Sequence, residues 1–373
     1  MDETLYWIDF DTMEKFMIDV FKAVGVPEED AKICAEVLIT SDKRGIDSHG
    51  IGRLKPIYYD RIKEGVQNPE TNFEIIREGL TTAVIDGHNG MGHVIGKKAM
   101  QLAIDKAKKF GMGMVAVRNS THYGIAGYYS LMAIEQGLIG ITGTNARPSI
   151  APTFGVENML GTNPLTFGMP SDEEFPFVLD CATSITQRGK IEVYDRIGKE
   201  LPLGWVIDEA GNARTDTHQV LVDLVKGKAA LTPLGGIGEE TGGYKGYGYA
   251  TVVEILSAAL QGGSFLKGLL GFDEAGNKIP YHLGHFFIAI NIEEFTDLES
   301  FKKTTGDILR GLRNSKKAPG QDKIYTAGEK EHEAWHYRKN RGVPINEALK
   351  KDMLTLKKEL HLTQYSFPFE NND

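Results

Sequence analysis

The sequence predicts an α/β protein whose helical N- and C-terminal segments flank a glycine-rich α/β centre. Three observations carry that expectation. Apolar residues recur at helical spacing in the opening segment, a strand–helix–strand pattern runs from Thr81 to Val117, and short apolar runs bounded by turn residues fill about 120 to 265. At 373 residues the chain exceeds the size at which a single hydrophobic core stops growing, so more than one packed domain is expected.

In chain order, Met13, Phe16, Met17, Val20, Phe21 and Val24 mark one face of an amphipathic helix that ends at Gly25. Pro27 opens a second helix, with Glu28, Glu29 and Asp30 at the positive end of its dipole, and this helix stops near Gly45. Ser48 is the N-cap expected for a third helical stretch toward Gly65, complicated by Pro56. In that position His49 lies at a helix N-terminus, where the dipole lowers its proton affinity. Thr81 to Asp86 reads as a strand and Met112 to Val117 as another. Between them Lys97 to Phe110 is a helix with Ala99, Leu102, Ala103, Ala107 and Phe110 inward.

Leu138 to Thr142 and Phe177 to Leu179 are short strands, Thr251 to Leu260 an apolar helix, and His285 to Asn291 a buried strand. Charged helices follow over about 297 to 314 and 344 to 360, and the charge-rich stretch 319 to 343, opening Pro319-Gly320, reads as an exposed connection. No fixed-period repeat is evident.

The formal charge of −9, from 51 acidic and 42 basic residues, opposes nonspecific binding to nucleic acid or an anionic membrane and favours a small-molecule substrate. An anionic substrate is compatible with that charge, because a few buried Arg or Lys suffice to hold it. Cys34 and Cys181 lack both CxxC spacing and the density of a disulfide scaffold, and both are expected to be buried thiols in a reducing compartment. The acidic N-terminal stretch does not read as a signal peptide, and no apolar run is long enough to span a bilayer, so a cytoplasmic location is expected.

The run Gly90-Met91-Gly92-His93-Val94-Ile95-Gly96 comes close to the dinucleotide fingerprint GxGxxG, with one extra residue. No acidic residue ends the second strand to hold a ribose; Arg118 stands there instead. A turn before a helix is the plainer reading, and a Rossmann site with Arg118 near a 2′-phosphate competes with it. His282 and His285 are spaced i, i+3. His332 and His336 at i, i+4 have the spacing to chelate zinc on a helix, but no HExxH-type carboxylate accompanies them, so no metal is assigned. No Gly-x-Ser-x-Gly elbow is present, which counts against a serine hydrolase.

The segment Arg44-Gly45-Ile46-Asp47-Ser48-His49-Gly50-Ile51-Gly52-Arg53-Leu54 resembles the signature of the malate/L-lactate dehydrogenase family, which is unrelated to the usual lactate and malate dehydrogenases. The resemblance continues through Thr121-His122-Tyr123-Gly124, Gly161-Thr162-Asn163-Pro164, Leu179-Asp180-Cys181-Ala182-Thr183-Ser184, Gly189-Lys190, Pro202-Leu203-Gly204-Trp205 and Gly243-Tyr244-Lys245-Gly246-Tyr247-Gly248. These motifs, in this order, cover most of the chain. One departure is the run Gly235 to Lys245, longer than the compact Gly-Gly-Tyr-Lys usual there.

The resemblance implies a nicotinamide-binding fold that is not a Rossmann domain, and a homodimer with sites near subunit contacts. It divides the chain into a helical substrate-side segment (1–75), a scaffold and dimerisation region (76–118 and about 285–373) and a cofactor-binding domain (119–284). The activity it implies is interconversion of a small 2-keto acid and its 2-hydroxy acid with NAD or NADP, of malate or lactate type. Reduction of a cyclic imine carboxylate is an alternative within the family. A catalytically silent nucleotide-binding protein is one outside it.

That chemistry requires a carboxylate clamp, a proton donor to the nascent alkoxide and a nicotinamide held at the carbonyl carbon. Arg53, one helical turn after His49, offers a bidentate guanidinium, with Ser48 as a hydrogen-bonding neighbour. The resemblance nominates both His49 and His122 as acid/base; His122 is favoured as proton donor. Asp180, at the end of an apolar strand, needs a partner if ionised, and an imidazole would serve. The resemblance places Asp180, Cys181 and Ala182 at the cofactor. Lys245, Gly246 and Tyr247 are expected near its phosphates, and Asn145, Gly328 and Glu329 are further cofactor candidates by the same resemblance.

Overall fold

Strand β1 (Tyr6–Ile8) leads into helix α1 (Phe10–Ala23), whose first turn is capped by Asp9 accepting the Thr12 N–H at 2.8 Å. The buried face of α1 is Phe10, Met13, Phe16, Met17, Val20 and Phe21, the face its periodicity requires. Helix α2 (Glu28–Lys43) packs beside it, with its acidic first turn directly after Pro27. The computed structural model describes residues 5–370; Met1 to Thr4, part of the N-terminal stretch read above for a signal peptide, lie outside the described residues.

The third helical stretch differs from expectation. Ile51–Arg53 forms one 3₁₀ turn, Leu54–Tyr59 a widened π-helical turn that contains Pro56, and only Asp60–Lys63 (α3) is α-helical. Proline has no N–H to donate, and the wider turn accommodates it. Ser48 does not cap this stretch. Its hydroxyl meets His49 Nδ1 at 2.8 Å, and Asp42 accepts the Ile51 N–H at 2.9 Å.

Strands β2 (Glu74–Glu78) and β3 (Thr82–Asp86), helix α4 (Gly92–Phe110) and strand β4 (Met112–Ser120) follow. β3 and β4 are parallel, with Thr82 opposite Met114 and Asp86 opposite Arg118, so the strand–helix–strand unit is real. Its helix starts earlier than expected, at Gly92. The glycine run is therefore partly helix and not a free loop, and Phe110, expected inward, is exposed.

The chain continues through α5 (Gly127–Ile134), β5 (Leu138–Thr144), β6 (Leu165–Met169), β7 (Phe177–Cys181), α6 (Arg188–Arg196), β8 (Val206–Asp208), α7 (Thr217–Lys226), β9 (Ala229–Leu231) and α8 (Gly243–Leu256). The remaining elements are β10 (Leu283–Asn291), α9 (Leu298–Arg313), α10 (Glu329–Arg338), β11 (Val343–Ile345) and α11 (Glu347–Glu359). The region 319–343 thus carries a helix and the start of a strand and is not simply a connection. α8 begins well before Thr251 and so takes in Lys245.

Seven strands form one sheet in the order β2-β3-β4-β10-β5-β6-β7, antiparallel everywhere except β3–β4. A doubly wound Rossmann sheet is mainly parallel, so this α/β fold is not one. α4 and α5 cover one face through Ile95, Ala99, Ala103 and Tyr129. The N- and C-terminal segments share a second core, closed by the pairing of β1 with β11. β8 and β9 form a small separate sheet over a third core. The expected boundaries at 118/119 and 284/285 fall inside β4 and β10.

Candidate active site

The turn after α2 delivers His49 to a position where its ring stacks on that of His122, centroids 5.7 Å apart and planes 19° apart. His122 arrives from the loop after β4. Its Nδ1 lies 2.6 Å from the Tyr58 hydroxyl and accepts the Gly124 N–H at 3.3 Å, which leaves Nε2 as the nitrogen available to a substrate. Ser48 holds His49 in the same way, through Nδ1. Both rings are thus oriented by their inner nitrogens.

Burial, followed by the Arg53 charge, pushes the His49 imidazole down to about 4. The cause is desolvation, and not the helix dipole expected from sequence. Burial also holds His122 well below its ordinary range, helped by His49, Arg61 and Arg53. Tyr58 is fully buried, and burial raises its phenol far above the usual value, so it remains a neutral hydrogen-bonding group.

Beside Arg53 the fold brings Arg61, and next to Arg61 the charge of Arg147; the sequence reading singled out neither. Arg53 Nε donates to the Ser48 carbonyl, which fixes the guanidinium beside the histidines. Arg61 follows on α3 and lies over the Tyr281 ring at 4.2 Å; burial lowers its proton affinity, and the nearby charges of Arg147 and Arg53 add to this. Its spacing from His49 and Arg53 continues one helical face, so a signal for it was present. Arg147, just after β5, is brought in only by the tertiary fold. No comparable signal marks Tyr58.

A cleft of about 490 Å³ opens beside this group, lined by Ser48 and His49, by Thr162, by Asp180 to Ala182 and Ser184 to Gln187, and by Leu234 and Glu331. Asp180 accepts the Gly127 N–H at 2.7 Å and the Thr166 hydroxyl at 3.0 Å, so its carboxylate sits at the N-terminus of α5. Burial raises its carboxyl; the Gly127 N–H, Thr166 and the Arg44 charge act against that. Its hydrogen-bond partners are therefore an amide and a hydroxyl, not the imidazole that would have served. Cys34 is a buried thiol as expected, but Cys181 is exposed and lines the cleft.

The cleft suits a nicotinamide dinucleotide in size. Ser184 Oγ, buried in its wall with no protein partner, is a hydroxyl left free for a ligand. Cys181 and Ala182 line the same wall, whereas other cofactor candidates lie elsewhere. Asn145 is buried and spans the Ser264 carbonyl and the Gly284 N–H. Gly328 has a left-handed conformation before α10, and Glu329 pairs with Lys323. Gly246 packs so closely on Leu234 that a Cβ would come within 2.1 Å of its carbonyl oxygen. Lys245 is exposed, and Tyr247 borders a separate apolar depression of about 570 Å³ with Ile255 and Phe265. Gly92 abuts the Thr121 and His122 carbonyls, and Arg118 is engaged by Asp86 at 2.8 Å, so neither is open to a phosphate.

His285 is buried between the Thr144 and Ser120 hydroxyls and stacks on Tyr123, a structural role. Among the described residues no helix is long and apolar enough to cross a membrane.

A sequence model of the malate/L-lactate dehydrogenase family matches residues 8–354. The chain is 47% identical over 345 residues to a malate dehydrogenase of Pyrococcus abyssi, covering 92% of each chain. It is 42% identical over 351 residues to an L-sulfolactate dehydrogenase of Methanocaldococcus jannaschii, covering 94% of this chain and 96% of that one. The crystal structure of malate dehydrogenase from Entamoeba histolytica superposes with a TM-score of 0.93 at 48% identity, covering 98% of this chain and all of the other. The chain belongs to the malate/L-lactate dehydrogenase family and is a nicotinamide-dependent oxidoreductase of 2-hydroxy acids. These relatives do not favour a cyclic imine reductase or a silent nucleotide-binding protein.

Proposed function

We propose that this member of the malate/L-lactate dehydrogenase family interconverts malate and oxaloacetate, with His122 as the proton-transferring group. The observation that carries the reading is the stacked His49–His122 pair set in the field of Arg53 and Arg61, with the Arg147 charge felt at Arg61. Several guanidinium groups around one acid/base suit a substrate with two anionic ends. A monocarboxylate such as pyruvate leaves part of that charge unmatched. The malate dehydrogenases among the relatives support the same choice.

The nicotinamide supplies or accepts the hydride at C2 of the acid when bound. Arg53 grips the carboxylate next to the reacting carbon, and Arg61 and Arg147 attract the distal one. His122 Nε2 gives a proton to the carbonyl oxygen during reduction and takes it back during oxidation. In the free enzyme, burial and the arginines keep that ring neutral. A dianionic substrate offsets the arginines and restores its proton affinity, so protonation accompanies substrate binding. Tyr58 holds the ring through Nδ1, and His49 lies against its face.

Ser184, Cys181, Ala182 and Asp180 are the residues that would hold the cofactor, with region 119–284 as the cofactor-binding domain. Among the described residues lining the cleft are two carboxylates, Asp180 and Glu331, and no Lys or Arg, which favours the unphosphorylated ribose of NAD over NADP. The homodimer implied by the family resemblance is supported by an apolar surface on α8, where Tyr249, Val252 and Ile255 are exposed.

The test is a spectrophotometric panel of oxaloacetate, sulfopyruvate, pyruvate and a cyclic imine carboxylate with NADH and with NADPH. The expected result is the highest kcat/KM for oxaloacetate with NADH. A preference for sulfopyruvate would reassign the substrate to a sulfonate, in line with the sulfolactate dehydrogenase relative; a preference for pyruvate would remove the second anionic subsite.

A further inference from the structure

We propose that His332, His336 and Glu174 form a binding site for a divalent transition-metal ion, Zn²⁺ being the ion that fits, and that the bound ion staples α10 to the β6–β7 loop. The inference does not depend on the reaction assigned above.

His332 and His336 are one turn apart on α10, so they project from one face. Their ring centroids are 4.5 Å apart. The carboxylate that no local motif supplies comes from the loop between β6 and β7: Glu174 Oε2 lies 3.4 Å from His332 Nε2, and one ligand atom from each residue falls within 4.8 Å of the others. Two ligands bound at about 2.0–2.1 Å to a tetrahedral ion are roughly 3.3 Å apart, so the His332–Glu174 pair already has the required separation. Two imidazoles and a carboxylate, with a fourth position open to water, are a zinc ligand set.

Neighbouring contacts preset the site. Glu173, adjacent in sequence to Glu174, is held by Arg310 and Arg313, which fixes the loop, and the Phe175 ring packs 5.4 Å from His332. A simple His332–Glu174 ion pair would not require His336. One group competes: the Lys339 ammonium lies 3.2 Å from His336 Nδ1. Lys339 is exposed, and its flexible stem lets it turn away when the ion binds. The helix so stapled carries Glu331 in the cleft wall and Arg338, which grips Asp47 and the Asp42 carbonyl behind the His49 turn. The ion therefore braces the support of the active-site segment from outside.

The full chain, freed of metal with a chelator, is titrated with Zn²⁺ by calorimetry, and Co²⁺ is added separately to read the d–d absorption of a tetrahedral site. The expected result is one equivalent bound at micromolar Zn²⁺, with a higher melting temperature. His336→Ala and Glu174→Gln each weaken binding by at least about tenfold, and Lys339→Ala strengthens it. His336 and Glu174 are exposed, so circular dichroism of these variants should match that of the parent chain. Unchanged Zn²⁺ affinity in His336→Ala, or no stoichiometric uptake by the parent chain, would overturn the proposal.

Discussion

The Tyr58 hydroxyl and His122 Nδ1 are 2.6 Å apart, although 64 positions separate them in the chain. The contact joins the widened helical turn after the His49 segment to the loop that follows β4, and it fixes the plane of the imidazole proposed to transfer the proton. Tyr58 is buried, with the His93 ring 4.5 Å away, so this orientation is set from inside the protein and not by solvent.

Tyr58→Phe removes one hydrogen bond and keeps the ring. A bond of about 1–2 kcal/mol at a reacting group corresponds to a fall in kcat of about 5- to 30-fold. KM should change little, and the pH profile of kcat should shift because the imidazole loses the shorter of its two Nδ1 hydrogen bonds. His122→Ala should cost kcat about 10²- to 10⁴-fold with cofactor affinity nearly intact. Steady-state kinetics and cofactor fluorescence titration measure both, and normal turnover in His122→Ala would remove it from the mechanism.

Arg53→Ala and Arg61→Ala should both weaken oxaloacetate, but differently. Arg53→Ala should raise KM for every keto acid, because its proposed role is to hold the carboxylate that all of them share. Arg61→Ala should penalise oxaloacetate more than pyruvate, because only the former has a second carboxylate. Comparing kcat/KM for the two substrates checks this, and equal losses in Arg61→Ala would place that arginine outside substrate recognition.

Asp42 gives a pH dependence of stability. Burial pushes its carboxyl up to about 8, against the Ile51 N–H it accepts. Unfolded, the group ionises near ~3.9. Its contribution is therefore complete below that pH and is lost as pH rises through about 8. Asp42→Asn keeps an acceptor for Ile51 and removes the titration. Melting temperatures across this range should show the parent chain declining relative to the variant, and a constant difference at all pH values would contradict the assignment.

Gly92→Ala separates packing from phosphate binding. A Cβ at Gly92 would lie 2.4 Å from the Thr121 carbonyl oxygen and 2.5 Å from that of His122. Backbone must move to admit it, so a destabilisation of about 1–3 kcal/mol is expected by denaturant unfolding. Nicotinamide affinity of the folded variant should persist. Loss of that affinity at unchanged stability would revive a phosphate-binding role for the glycine run.

Periodicity alone located the buried face of α1, and the β3–α4–β4 unit followed from two apolar runs around an amphipathic one. Local pattern failed where the backbone departs from regular geometry. Ser48 has the chemistry of an N-cap, yet Asp42 from the preceding helix reaches the Ile51 N–H and leaves Ser48 to hold His49. His49, Arg53, His122 and Asp180 could be nominated from sequence because each stands in a recognisable short motif, and the fold brings His49, Arg53 and His122 together. Arg61 was readable as a continuation of the His49–Arg53 face and was overlooked.

The sequence by itself determined the family and the mixed α/β class, because these reside in short motifs and in spacings of a few residues. Only the tertiary structure decided which groups meet: Tyr58 with His122, Asp180 with the start of α5, and Glu174 with His332. Each pair is separated by tens of residues or more, and its contact depends on sheet order and helix packing that no local spacing encodes. The proton affinities of His49 and His122 belong to the same category. Desolvation dominates both, and burial is a property of the folded chain as a whole.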